Sequence, residues 1–484
     1  MQDLNFLYKS WKIIFASGIL SLFISVIIIL VALHNFAPLL KNFYQKRLRD
    51  QHEEPVPKIG GLGMMLSFFL TVLLLRLFPS ETNTPHLEIL DQSRLLGLTL
   101  GGILAFGLGF IDDLLQLRAR WKLLGQSLLA IFAILSGFSF NNLQGPFFQE
   151  IDTGFLSLPI TVFWIVIVMN AINLIDGLDG LAGGISLTIL FTLCVILWWK
   201  GALPLLLLNI ALFGAVFGFL LFNRSPAITF MGDSGSQFLG YMVALISIWA
   251  TETYDGKQSM LPILILAIPL LDTFFAFTRR LFKGIPFYSA DKDHLHHRLV
   301  MKGFSPSKSV LILVFVSFFF SFLALMVVYN SYLQGFSYIL GFLMCFLILY
   351  ILEYDLLRKP VISIQGQNNS RKRRELMIAL GDQIDGFLEK DFDSSTVFHS
   401  FNYWCKLAEI SQYKLKHQNK DYHNYGIFED SLRIIVYKFQ EWEIHFGLPR
   451  ESWSVDSDVK GDLMEKVSCA LVKRLEQLET FKGR

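Results

Sequence analysis

The stretch LPITVFWIVIVMNAINLIDGLDGLAGG, residues 158–184, decides how this chain is read. Its first half is a run of apolar residues of the kind that fills a lipid bilayer. Its second half carries Asn170, Asn173, Asp176 and Asp179, interleaved with Gly177, Gly180, Gly183 and Gly184. Solvating a helix end needs no such arrangement, and glycines cost a helix stability. Intervals of three place neighbouring polar groups on roughly one face of a continued helix. Glycines there loosen the backbone and let a ligand come close. Asparagine and aspartate supply neutral and anionic oxygens, suited to a hard cation or to hydrogen bonds with a base and ribose. A turn uses one Asn-Gly or Asp-Gly pair, not four such polar groups. The pattern predicts a membrane helix that delivers a polar site to the bilayer surface.

The rest of the chain agrees. Of 484 residues, 53% are hydrophobic and only 17% charged, with a mean hydropathy of +0.49. Soluble chains carry about a quarter of charged residues, so this is an integral membrane protein. Charge distribution matters more here than the net +2, and no nucleic-acid partner is expected. Cys194, Cys345, Cys405 and Cys469 are far apart and form no CxxC pair, which points to reduced cysteines rather than a disulfide framework or a metal site. Lys9 and Lys12 precede an apolar run longer than a signal peptide's core, with no A-x-A-like cleavage site after it. It reads as a retained first spanning helix.

Apolar runs of bilayer length recur near 12–34, 60–78, 95–111, 121–138, 157–173, 183–199, 204–222, 236–250, 260–278, 309–328 and 334–352. The expected fold is therefore all-α, a polytopic membrane protein of about eleven transmembrane helices over residues 1–352. Lys41, Lys46, Arg47, Arg49 and Lys58 follow the first run. Arg118, Arg120 and Lys122 follow the third, and Arg279, Arg280, Lys283, Lys292, Arg298, Lys302 and Lys308 follow the ninth. The alternate connections hold only Arg94, Lys200 and Lys257. The basic loops are thus expected in the cytoplasm, with the N-terminus outside and the C-terminus inside. Residues 353–484 turn polar. ELMIALGDQIDGFLEK and DLMEKVSCALVKRLEQLE show apolar residues at three-to-four spacing, which predicts a small helical cytosolic domain. The cluster RKRR at 371–374 reads as a positive-inside flank, with contact to anionic lipid as the alternative.

Each expected cytoplasmic connection carries more than charge. PVPKIGGLGM, 55–64, offers Lys58 to an anion and the glycines Gly60 and Gly61 to a close ligand, although a proline–glycine turn into a helix explains it equally well. GFIDDLLQL places Asp112 and Asp113 side by side at the end of an apolar helix. Carboxylates there are costly to keep, and the helix dipole disfavours them at a C-terminal end. FMGDSGSQFLGY, 230–241, sets Asp233 between Gly232 and Gly235 where a helix begins. That suits phosphate at the helix start and Mg²⁺ on the carboxylate; a capping turn is the plain alternative. SADKDHLHHRLV, 289–300, holds His294, His296 and His297 beside Arg298. Their spacing does not put three imidazoles on one helix face, so contact with a diphosphate fits better than zinc. Asp272, inside the ninth run, needs a partner or a water-filled cavity. Polar groups for a soluble nucleotide diphosphate and helices for a lipid meet on one face. That combination predicts a transferase joining a nucleotide-linked group to a lipid phosphate.

Taken in order, PKIGGLGM, GFIDDLLQL, NAINLIDGLDGLAGG, FMGDSGSQFLG and DKDHLHHRL resemble the polyprenyl-phosphate N-acetylhexosamine-1-phosphate transferases, relatives of the phospho-MurNAc-pentapeptide translocase. The likeness covers about residues 10–350, and the polar tail departs from it. The HxHH form followed by Arg298 looks like the branch that starts O-antigen, enterobacterial-common-antigen or wall-teichoic-acid synthesis; the translocase branch has three consecutive histidines. The resemblance implies UDP-N-acetylhexosamine, GlcNAc foremost, and undecaprenyl phosphate as substrates, with polyprenyl-diphospho-sugar and UMP as products. It implies Mg²⁺, with Mn²⁺ as a substitute, at a bacterial cytoplasmic membrane; a homodimer is compatible with it. Carried over, Asp233 and Asn173 look like metal ligands, and Asp176 and Asp179 like nucleotide contacts. Asp112, supported by Asp113, looks like the base. His294, His296, His297 and Arg298 would hold the diphosphate or sugar, and Lys58 and Gly60 would border the lipid phosphate. A secondary transporter of an anionic substrate is the rival from another class; its polar residues would sit near the bilayer midplane in broken helices. A structural scaffold would not need Asp112, Asp176, Asp179 and Asp233 together.

Overall fold

The computed structural model describes residues 2–35, 56–77, 90–145, 148–252, 258–282 and 294–352, and in the tail 399, 401–402, 405, 412–417, 420–425, 433–439 and 442–448. Helices follow the apolar runs: α1 (Gln2–Asn35), α2 (Gly60–Leu77), α3 (Gln92–Leu115), α4 (Ala119–Leu135), α5 (Ser157–Ile175), α6 (Leu181–Trp199), α7 (Leu203–Asn223), α8 (Gly232–Thr251), α9 (Leu261–Ile265), α10 (Ala267–Phe282), α11 (Leu295–Met301), α12 (Pro306–Tyr329) and α13 (Gln334–Leu352). The short strands β1 (Asn142–Gly145), β2 (Phe148–Asp152) and β3 (Gln258–Ser259) form a small sheet of order β2-β1-β3.

Among the described residues, 8 helices are long and apolar enough to cross a membrane, against the about eleven expected from run length alone. The difference has local causes. Helix α4 is 17 residues long. The ninth run breaks after Ile265, where Pro269 supplies no amide and its ring crowds the carbonyl four residues back. Helix α8 is buried almost all round, so it carries Ser234, Ser236, Gln237, Ser247 and Thr251 inside protein rather than against lipid.

Small residues let these helices approach closely. On α1, the hydroxyls of Ser21 and Ser25 donate to the carbonyls of Ala211 and Ala215 on α7, at 2.6 and 3.0 Å. Helix α8 sits at the centre, packed by α2, α3 and α5. A Cβ on Gly61 of α2 would strike the backbone of Gly235, and one on Gly109 of α3 the backbone of Asp233. Tyr241 of α8 donates its hydroxyl to the Gly97 carbonyl at 3.0 Å. The bundle therefore sets the ends of α2 and α3 directly against the start of α8. At the other end, Arg94 pairs with Glu252 at 2.5 Å and lies over the Phe138 and Trp249 rings.

The chain divides into two compact units, Met1–Arg279 with Phe287–Arg358, and Arg280–Pro286 with Lys359–Arg484. The second unit holds strands that the expectation of a helical tail did not include. Its described strands β4 (Gln412–His417), β5 (Lys420–Tyr425), β6 (Arg433–Phe439) and β7 (Trp442–Leu448) form an antiparallel sheet of order β5-β4-β7-β6. Tyr413 pairs with Phe446 and Leu415 with Ile444, and all of these are buried with Phe401 and Cys405. The cause is a period-two alternation in QYKLKH and WEIHFGL that points every other side chain to one face. The helical-pattern segments at 375–390 and 462–479, and the RKRR cluster, lie outside the described residues.

Two glycines of α3 separate packing from propensity. Gly109 faces the Asp233 backbone, whereas nothing lies within 4 Å of a Cβ on Gly107. Gly109→Ala is expected to cost about 1–3 kcal/mol as overpacking. Gly107→Ala should be neutral or gain about 0.5–1 kcal/mol of helix propensity. Thermal unfolding midpoints of the two variants in detergent check the contrast.

Candidate active site

At one end of the first unit, α3 and α5 end while α4 and α8 begin, and their terminal turns carry the polar motifs. Lys122, one turn into α4, stands at the centre. Its ammonium lies 2.7 Å from Asp112 Oδ2 and 2.9 Å from Asp233 Oδ1, with Asn173 Oδ1 at 3.4 Å. Asn173 in turn donates through Nδ2 to Asp233 Oδ1 and to Ser236 Oγ, each at 2.7 Å. Three helix ends are thereby held on one cation.

The adjacent aspartates divide their work. Asp112 is buried and its Oδ1 accepts the Leu117 amide at 2.9 Å, fixing the turn after α3. Asp113 Oδ1 takes the Lys58 ammonium at 2.8 Å, and its Oδ2 accepts the Ser234 amide at 2.9 Å. The mismatch between a carboxylate and the C-terminal end of α3 is resolved by this reach: Asp113 caps the positive N-terminal end of α8. Gly232 adopts φ +71° there, and a Cβ on it would crowd Asp113 Oδ2 at 2.7 Å.

One helical turn below this charged layer lies a neutral one. Gln126 donates through Nε2 to Gln237 Oε1 at 2.9 Å and to Asn170 Oδ1 at 3.3 Å, while Asn170 Nδ2 returns a bond to Gln126 Oε1 at 2.8 Å. Gln126 and Gln237 are fully buried.

The loop after α5 is held from the opposite side. Asp179 Oδ2 accepts the Ala227 amide at 3.0 Å, and Asn223 Oδ1 accepts the Gly180 amide at 3.0 Å. The hydrogen bonds of Asp179 thus join two loops. Asp176 stays half-buried at the α5 end. Desolvation first, then the negative charges of Asp233, Asp113 and Asp179 against the pull of Lys58, push its carboxyl up to about 7. The Gly60 amide donates to the Phe230 carbonyl at 3.0 Å, and a Cβ there would strike the Phe219 ring. Gly60 therefore serves close packing, and its amide is already used by the protein.

The histidine motif joins through α11. The His296 ring lies against Gly177, where a Cβ would collide with it. Burial holds its imidazole down at about 3, so it is neutral at physiological pH. His294 stacks parallel to it with ring centres 5.8 Å apart, and His297 packs on it at 4.2 Å. Arg298 follows on the same short helix. His294 Nδ1 lies 2.9 Å from Asp272 Oδ2, which answers the question of a partner for that buried acid.

The structure thus brings Lys58, Asp112, Asp113, Asn173 and Asp233 into two adjoining hydrogen-bonded clusters and sets His296 against Gly177 of the neighbouring loop. Lys122, Gln126 and Gln237 are site residues that the sequence motifs do not single out. In sequence, Lys122 reads only as a loop charge. The available signal was its spacing of four from Gln126 in RWKLLGQ, which puts both on one face of an otherwise apolar helix.

Comparison with known proteins bears on the same region. The family model described as glycosyl transferase family 4 matches residues 95–251. The chain is 36% identical over 275 residues to a probable undecaprenyl-phosphate N-acetylglucosaminyl 1-phosphate transferase of Bacillus subtilis, covering 56% of this chain and 74% of that protein. It is 32% identical over 298 residues to the decaprenyl-phosphate N-acetylglucosaminephosphotransferase of Mycobacterium tuberculosis, covering 55% and 71%. It is 30% identical over 336 residues to a phospho-N-acetylmuramoyl-pentapeptide-transferase of Halalkalibacterium halodurans, covering 63% and 96%. With relatives this similar matched across most of their length, and eight helices among the described residues long and apolar enough to cross a membrane, the chain is a multi-pass membrane protein that belongs to the polyprenyl-phosphate N-acetylhexosamine-1-phosphate transferases of glycosyl transferase family 4.

Proposed function

We propose that this protein transfers N-acetylhexosamine 1-phosphate, GlcNAc 1-phosphate foremost, from a UDP-sugar to undecaprenyl phosphate, giving the polyprenyl-diphospho-sugar and UMP. The reaction would be the first membrane step of a cell-envelope polysaccharide such as O-antigen or teichoic acid. It would run on the cytosolic face of a bacterial cytoplasmic membrane, with the N-terminus outside and the C-terminus inside. The observation that carries the reading is the Lys122 ammonium gripped by Asp112 and Asp233 from separate helices. A transporter would gather such groups near the midplane of broken helices; here they occupy helix ends.

The donor set fits a hard divalent cation. Among the described residues, no three carboxylate, imidazole or thiolate groups close on one point by themselves. Mg²⁺ takes one or two carboxylates plus substrate phosphates, and Asp233 with the Asn173 amide would supply such a set. A positive charge is already drawn to that spot in the form of Lys122. When bound, Mg²⁺ (or Mn²⁺) would neutralise charge growing on the transferring phosphoryl group.

The chain's own groups do the rest. Lys58 and Lys122 attract the two phosphorylated substrates, and each ammonium offered to a phosphate loosens its hold on Asp113 or Asp112. Asp112, freed in this way and supported by Asp113, accepts the proton of the lipid phosphate. The lipid phosphate oxygen attacks the sugar-bearing phosphorus in line and expels UMP. One step suffices, since two anions beside a cation need no protein nucleophile; exchange of UMP with UDP-sugar in the absence of lipid would indicate a covalent step instead. Asp176 and Asp179 order the loop that receives the nucleotide, and His294, His296, His297 and Arg298 cover the sugar-nucleotide.

Membranes containing the protein, supplied with UDP-[³H]GlcNAc, are expected to move label into the organic phase, and Asp112→Asn and Asp233→Asn to abolish it. Uptake into sealed vesicles without lipid labelling would refute the transferase. Lys122→Met leaves two carboxylates uncompensated, at a cost of about 3–5 kcal/mol for a buried pair broken on one side. Adding Asp112→Asn to that variant should recover part of the thermal midpoint but none of the transfer.

Asp176 gives a pH test. Its folded-state pKa, about 7, lies above the ordinary aspartate value of 3.8, so the folded chain binds the extra proton between those values. Stability from this group is complete at low pH and is lost as pH rises through that window. Asp176→Asn should therefore raise the unfolding midpoint relative to wild type at pH 8, with the gain shrinking toward pH 4.

A further inference from the structure

Asp272 is 1% exposed and belongs to no network described so far except its own pair. One oxygen, Oδ1, accepts the Leu295 amide at 2.7 Å, and the other, Oδ2, lies 2.9 Å from His294 Nδ1. Both contacts fall at the start of α11, where His294 is the residue before the helix. A carboxylate that accepts from a backbone amide and from a ring nitrogen fixes both the position and the proton of that ring. With the proton on Nδ1, the ring's other nitrogen, Nε2, is left with a lone pair.

We infer that Asp272 is a positioning residue: it locks His294 in the Nδ1–H tautomer, so that Nε2 accepts a hydrogen bond from a hydroxyl or N–H group of the sugar nucleotide. This rests on the transfer reading above and narrows it. A phosphate oxygen is itself an acceptor and gains nothing from a lone pair, so His294 reads the sugar, ribose or base, and the diphosphate is left to cationic groups. The position of the ring supports that assignment. His294 stacks on His296, whose edge lies on Gly177 in the loop that also carries Asp176 and Asp179. Helix α11 is therefore held between Asp272 on one side and that loop on the other.

Asp272→Asn separates tautomer from packing. An asparagine keeps the acceptor for the Leu295 amide but donates to Nδ1 through its NH₂, which moves the ring proton to Nε2. Two measurements decide the matter. In the full-length protein labelled with ¹⁵N-histidine, and with His294 assigned by its absence in His294→Gln, the spectrum should show a protonated Nδ1 and an unprotonated Nε2. A protonated Nε2 would overturn the inference. In kinetics with UDP-GlcNAc and polyprenyl phosphate, Asp272→Asn should lower kcat/KM about tenfold or more, chiefly through the KM of the sugar nucleotide. In the His294→Gln background the same change should cost less than about twofold, because the two residues act as one unit. Equal losses in both backgrounds would mark Asp272 as structural only and sink the proposal. Failure of the wild-type protein to form any lipid-linked product would count against the transfer reading instead, and the spectrum would still decide the tautomer.

Discussion

The site depends on one ammonium group held between two carboxylates from different helices. Asp112, Asp113 and Asp233 are brought together at one end of the helix bundle, and like charges in a partly desolvated setting repel. Lys122 turns that repulsion into attachment, since it touches Asp112, Asp233 and the Asn173 amide at once. Lys58 does the same for Asp113. The ends of α3, α4, α5 and α8 are thus joined by charge and by the Asn173 amide. On the proposed function, substrate phosphates would compete for those lysines, so the interactions that assemble the site would be the ones that substrate rearranges.

Charge alone would not bring the helices close enough. Backbone approaches at Gly61 and Gly109 press α2 and α3 onto α8. That contact sets Asp113 within reach of the Ser234 amide. Because α8 is enclosed by other helices, it can start with Asp233 and carry buried serines and Gln237 without exposing them to lipid. The glycines therefore act on the chemistry through geometry: each side chain they lack is space occupied by a neighbouring backbone.

Much of this was legible in the sequence, and the exceptions have physical reasons. Apolar runs located the membrane helices because a bilayer imposes length and hydropathy directly. The aspartates and asparagines stood out because an apolar neighbourhood makes such groups costly. Lys122 did not stand out, since a lysine after a membrane helix is the ordinary mark of a cytosolic loop and its direction is visible only in three dimensions. Gly60 was legible as a position of close approach but not as to what approaches; it is the Phe219 ring. The tail carries two patterns. Its three-to-four spacing lies in segments outside the described residues, while the strands declare themselves through the alternation of Tyr413 with Leu415 and Ile444 with Phe446.

The two polar layers differ in kind, and the order in which they lie follows from dielectric cost. Lys122, Asn173 and Asp233 form the outer layer; Gln126, Asn170 and Gln237, one turn deeper on the same helices, form the inner one. A charge moved one turn toward the bilayer interior would lose solvation that its partner could not restore. An amide moved the same distance loses far less and recovers it from a neighbouring amide, which is both donor and acceptor. The inner layer thus ties α4, α5 and α8 in register without carrying charge into the membrane. The geometry of the charged layer is thus fixed from below by a layer of paired neutral amides.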